Sequence, residues 1–253
     1  MFPLRDENPT IHTSFATYLI IGLNIAAWVY LQGMGMHEKL IQSICSYGLI
    51  PGELLGFAKA GTRVNLGEGI TYVLNGSQTW LNVITSMFMH GGWFHLISNM
   101  WFLAVFGDDV EDVMGIVKFV VFYIVCGVSA AAAQMYMNPQ SVIPMVGASG
   151  AISGVMGAYA ILFPFVPVHV LVFFGFFFTR IVVPAIIMLG YWFLLQFLGG
   201  YMSSGVSSGG VAFWAHAGGF IAGVILCLFF MDKERVAKRR AKRGRARRMF
   251  SKG

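Results

Sequence analysis

The sequence predicts an all-α membrane protein built from six transmembrane helices. Three observations carry that prediction: a scarcity of charge, six apolar runs and a basic tail. Of 253 residues, 57% are apolar and 11% charged, whereas about a quarter of a soluble domain is charged. A single membrane-embedded unit follows, without a second globular domain. The apolar runs fall at about 14–33, 93–108, 117–137, 148–165, 181–201 and 211–231, and a helical span takes roughly 17–25 residues. The net charge of +6 divides into +9 over residues 232–253 and −3 over the rest. A basic stretch directly after an apolar segment marks the cytoplasmic side and meets anionic headgroups. It has neither interleaved aromatics nor an attached domain, so no nucleic-acid partner is expected.

In chain order, residues 1–13 lack the basic start and cleavage site of a signal peptide, so the first run stays as a span. Residues 34–92 form a long external loop whose apolar stretch 54–60 and Trp80 suit a membrane surface. The run 170–178 is too short to cross, is bounded by His169 and Arg180, and is expected to be interfacial or re-entrant. Residues 202–210, rich in glycine and serine, read as a flexible external loop before the last span. An even number of spans brings both termini to one side. The core is then 14–231, between a short cytoplasmic N-terminus and a basic cytoplasmic tail at 232–253. Gly150, Gly154 and Gly157 on the fourth span, and Ala215, Gly219 and Gly223 on the sixth, make small faces that let two helices approach closely. Cys45, Cys126 and Cys227 fit neither a disulfide framework nor a metal-ligand spacing. No metal or other cofactor is expected.

The chemistry lies in polar residues that lipid penalises unless they meet a partner or water: His90, His95, Asn99, Ser149, Ser153 and His216. Taken singly, a serine among glycines packs helices and a histidine near a span end is interfacial. Together they gain meaning from depth. The second, fourth and sixth spans all start at the external face. Asn99 and His216 each lie five or six residues in, about 8–10 Å down at 1.5 Å per residue. Ser149 opens the fourth span, so the mostly apolar segment 141–146 must dip inward to bring it level. His95 and Asn99, four apart, share a helix face. A neutral His216 can take the proton of Ser149 as it attacks a carbonyl. The free backbone N–H groups at a helix start, with Asn99 and His95, can hold an oxyanion. No acid lies near either residue, which describes a dyad.

Four motifs resemble one known family. Gly147-Ala148-Ser149-Gly150 resembles the nucleophile motif of rhomboid intramembrane proteases. Trp214-Ala215-His216-Ala217-Gly218-Gly219 resembles their histidine motif. His90, His95 and Asn99 are spaced like the second-span H-x4-H-x3-N, and Gly107, Glu111 and Gly115 like the G-x3-E-x3-G element. The resemblance covers about 80–231. It implies a six-helix rhomboid-like bundle of the short bacterial type in the cell's inner membrane, with Ser149 as nucleophile and His216 as general base. It implies an oxyanion site from His95, Asn99 and the Ser149 N–H, with His90, Gly147 and Gly150 as structural neighbours. The partners it implies are the bilayer and transmembrane substrates, cut near the external face beside small residues. Two positions depart from the pattern: Ser153 stands where many members stack an aromatic ring under the histidine, and Trp80 is followed by Leu81 rather than arginine. The alternatives are an inactive relative that escorts membrane helices, which typically lacks the serine or histidine kept here, and a transporter, for which mid-membrane acids would be expected.

Overall fold

A computed structural model describes residues 2–67, 70–174, 177–202, 212–239 and 241. Of the loop expected at 202–210, residues 203–210 lie outside the described residues, as does the end of the basic tail from 242. The chain is mostly helical. Strand β1 (Phe2–Asp6) precedes α1 (Phe15–Ala26), which runs on as a π-helical turn over Ala27–Leu31. The segment up to residue 92 holds α2 (His37–Tyr47), α3 (Pro51–Leu54), the hairpin β2 (Arg63–Gly67) and β3 (Ile70–Val73), and α4 (Asn82–Thr85). There follow α5 (Trp93–Met114), α6 (Ile116–Met137), α7 (Ser149–Leu162), β4 (Pro167–Phe174), β5 (Phe177–Pro184), α8 (Ala185–Met202) and α9 (Phe213–Phe230). Among the described residues, α6, α8 and α9 are long and apolar enough to cross a membrane, and Phe15–Leu31 and α7 are shorter apolar helices. Helix α5 is equally long but ends in Asp108, Asp109, Glu111 and Asp112.

The fold is mostly helical rather than all-α: the described residues of the run 170–178 are not a helical piece but lie in strands of the antiparallel sheet β1-β4-β5. Val168 and Val170 of β4 are fully buried, while the partner strand is largely exposed. The β-branched residues Val168, Val170, Val172, Ile181, Val182 and Val183 favour a pleated strand over a helix. The fifth helix therefore starts at Ala185, not near 181.

Helix α7 is enclosed by α5, α6, α8 and α9, and Gly150 to Ala160 are all buried. Protein surrounds it rather than lipid, so its 14 residues need not match the bilayer. Its small face meets that of α9. A side chain at Gly219 or Gly223 would strike the carbonyls of Gly150 or Gly154, so the two backbones touch. Gly107 lies against Thr17, and Gly115, at φ +80°, makes the turn between α5 and α6. Between these glycines the Glu111 carboxylate accepts bonds from the Ala16 N–H (2.8 Å), the Thr17 N–H and the Thr17 hydroxyl (both 2.7 Å). It closes the N-terminus of α1, where an anion is favoured. Asp112 does the same for the backbone N–H groups of Ile11 and His12. At this end the buried Arg239 pairs with Asp109 and Asp112 and donates to the Asn8 carbonyl. The Tyr159 hydroxyl donates to the Asp6 carboxylate, tying α7 to β1.

Candidate active site

Ser149 is the first residue of α7, and the segment before it is pinned from the long loop. Leu49 and Met145 exchange backbone hydrogen bonds (2.9 and 2.7 Å), Gly52 N–H donates to the Ser141 carbonyl (2.7 Å), and Gly147 N–H donates to the Ser86 carbonyl (2.9 Å). The loop is anchored by amides rather than by an arginine. Asn82 Nδ2 donates to the Ser46 and Gly48 carbonyls, and Gln78 Oε1 accepts from the Ile50 N–H. These bonds tie the half-buried segment before Ser149 to the long loop.

Ser149 Oγ lies 2.7 Å from Nε2 of His216, which stands in the first turn of α9. The other ring nitrogen, Nδ1, lies 2.7 Å from Oε1 of Gln196 on α8. The indole of Trp192 meets the His216 ring with centroids 5.8 Å apart and planes tilted by 43°. Ser153 does not take the place of an aromatic; it is fully buried and donates to the Ser149 carbonyl at 2.5 Å. Support for the histidine comes from α8 instead.

His95 and Asn99 face the same space. Gly91 N–H donates to His95 Nδ1 (3.2 Å), which leaves Nε2 as the donor of that ring. Asn99 Nδ2 spends one hydrogen on the His95 carbonyl (2.9 Å) and keeps the other. Gly147 has φ +124°, and a Cβ there would fall 2.8 Å from His95 Nε2, so only glycine lets that ring approach Ser149. His90 stands behind the site: it is fully buried with its ring 5.1 Å from that of His95, and Gln32 holds its backbone N–H and carbonyl (2.8 and 2.7 Å). Gly150 packs on Ala130.

Ser149, His216, His95 and Asn99 line one cavity of about 470 Å³, with Ser98, Phe102, Trp192, Gln196 and Phe213 in its wall. Of the residues singled out from sequence, those four and Ser153 line it, and His90, Gly147 and Gly150 lie outside it. Gln196 and Trp192 were missed. The signal existed: an amide within an apolar helix calls for a partner as much as a histidine does. Among the described residues no group of three or more His, Cys, Asp or Glu could hold a metal ion. The arrangement is that of an alcohol whose proton has an acceptor, beside a wall of free N–H donors.

The rhomboid domain family matches residues 77–233, more than half of the chain. The protein belongs to the rhomboid family of membrane proteins. RHOMBOID-like protein 6, mitochondrial, of Arabidopsis thaliana is 34% identical over 86 residues, 34% of this chain and 27% of that protein. Rhomboid protease GluP of Bacillus subtilis (strain 168) is 28% identical over 142 residues, 56% of this chain and 23% of its own length. Rhomboid-like protease 5 of Toxoplasma gondii is 38% identical over 76 residues, 30% of this chain and 9% of that protein. The matched part is thus a quarter or less of two of these relatives and just over a quarter of the third.

Proposed function

We propose that the protein is an intramembrane serine endopeptidase that hydrolyses peptide bonds in or near transmembrane helices by a Ser149–His216 dyad. The observation that carries this reading is the 2.7 Å contact between Ser149 Oγ and His216 Nε2 at the wall of the cavity. Ser149 Oγ attacks the scissile carbonyl while His216 Nε2 takes its proton. The Ser149 N–H, His95 Nε2–H and the free Asn99 amide hydrogen receive the oxyanion. His216 then hands its proton to the departing amine, leaving an acyl-serine. Water, activated by the same nitrogen, releases the carboxylate and restores the hydroxyl. In this reading the chain crosses the cell membrane six times with both termini in the cytoplasm, and the site lies below the external face, within reach of a substrate helix.

The test is purified protein in detergent with a single-span substrate. Native protein should produce fragments and Ser149→Ala none, with an unchanged melting temperature, since one oxygen is removed. His216→Ala should be as severe, because the two residues act as a unit. Ser153→Ala should stay within about fivefold, since it loses one neutral hydrogen bond of about 1 kcal/mol. Cleavage by Ser149→Ala at the native rate would refute the reading.

A further inference from the structure

We propose that Gln196 is a positioning residue that takes the place of the acid in a serine hydrolase triad. This rests on the protease reading of Ser149 and His216. An imidazole can act as base toward Ser149 only when its proton sits on the far nitrogen. A neutral histidine carries that proton on either nitrogen, and the hydrogen bond at one decides which form is present. Gln196 Oε1, at 2.7 Å from Nδ1, accepts a hydrogen bond from an N–H there and so keeps the proton on Nδ1. Nε2 is thereby left with its lone pair directed at the Ser149 hydroxyl, also at 2.7 Å.

The setting explains an amide in that place. A carboxylate within a membrane protein is penalised by desolvation; a glutamine supplies the acceptor oxygen without charge. The neighbourhood is built to hold it. Trp192 lies four residues earlier, hence on the same face of α8, and its indole meets the imidazole. Gly199 and Gly200, one turn later, let α8 close on the rings of Phe213 and Trp214 at the start of α9. From α6, Gln134 Oε1 accepts the Ala215 N–H at 3.2 Å. One glutamine thus holds the backbone beside His216 and another orients its ring.

A glutamine can offer either end of its amide, and the opposite end would invert the tautomer. The measurement is therefore the tautomer itself. Protein labelled with 15N-histidine is examined in detergent micelles beside Gln196→Met, which keeps length and bulk but has only a weak acceptor, and Gln196→Glu, which keeps a strong one. Subtracting the spectrum of His216→Ala isolates one histidine of six. In the native protein and in Gln196→Glu, His216 should carry its proton on Nδ1; in Gln196→Met the two forms should mix. With a single-span substrate, Gln196→Met should lower kcat about tenfold or more and leave KM within about twofold. Gln196→Glu should recover kcat to within about threefold of native. A proton on Nε2 in the native protein would overturn the proposal. So would Gln196→Met with native kcat and an unchanged tautomer, or a Gln196→Glu variant as slow as Gln196→Met. Absence of Ser149-dependent cleavage by native protein would instead refute the protease reading, and the tautomer spectrum would still decide the role of Gln196.

Discussion

At the scale of single residues, the site is held by contacts that tolerate little extra volume. Gly147 carries two demands at once: a φ of +124°, which side chains rarely adopt, and a Cβ position already occupied by His95. Gly147→Ala should therefore move His95 or twist the approach to Ser149. Displacements of about 1 Å at a reacting centre cost about 100-fold in rate, whereas the backbone strain itself is about 1–2 kcal/mol. We expect a fall in kcat of at least tenfold with a modest drop in melting temperature, read by cleavage and thermal denaturation in parallel. Near-native turnover would show that His95 does not need this approach. The sequence made Ser149, His216, His95 and Asn99 legible because each sits in a short local pattern and all fall at one depth. Gln196 and Trp192 sit in no such pattern. They are 20 and 24 residues from His216, and only the packing of α8 on α9 brings them to it.

At the scale of elements, the helices were legible and the strands were not. An apolar run of helix length leaves few choices in a membrane, so α6, α8 and α9, and the shorter Phe15–Leu31 and α7, lie close to apolar runs of the sequence. In 167–184 the period-two signal of a strand is hidden, because nearly every position is apolar. The partner β1 lies in the first residues of the chain, remote in sequence from β4. The G-x3-E-x3-G element was legible as a motif, but its work is seen only in the fold. The buried Glu111 carboxylate receives three donors from the first turn of α1. Glu111→Ala should orphan all three, at about 1–3 kcal/mol for each buried unsatisfied group. We expect a loss of several kcal/mol, read as a large fall in melting temperature. Glu111→Gln keeps one carbonyl oxygen and should fall between the two. Since Ser149 lies elsewhere, folded Glu111→Gln protein should keep near-native kcat at low temperature. A melting temperature for Glu111→Ala equal to native would remove the cap from the account of the fold.

At the scale of the whole molecule, the two described ends of the chain meet. Arg239 reaches the Asn8 carbonyl at 3.1 Å and lies 4.6 Å over the Phe163 ring, at the far end of α7 from Ser149. Fourteen residues of α7 at 1.5 Å each separate Ser149 from that end by about 21 Å. If the end bearing the termini marks one face of a hydrocarbon core about 30 Å thick, Ser149 lies about 9 Å below the other face. We propose, from the basic tail, that the termini face the cytoplasm and that the cavity mouth and residues 34–92 face outward. Cysteine labelling tests this. The native Cys45, Cys126 and Cys227 are buried, so background should be low. In intact spheroplasts, Lys59→Cys and Ser77→Cys should react with a membrane-impermeant maleimide, whereas Glu7→Cys and Glu234→Cys should react only after permeabilisation. The reverse pattern would turn the molecule over and open the Ser149 cavity toward the cytoplasm, so that substrates would be cut near their cytoplasmic ends.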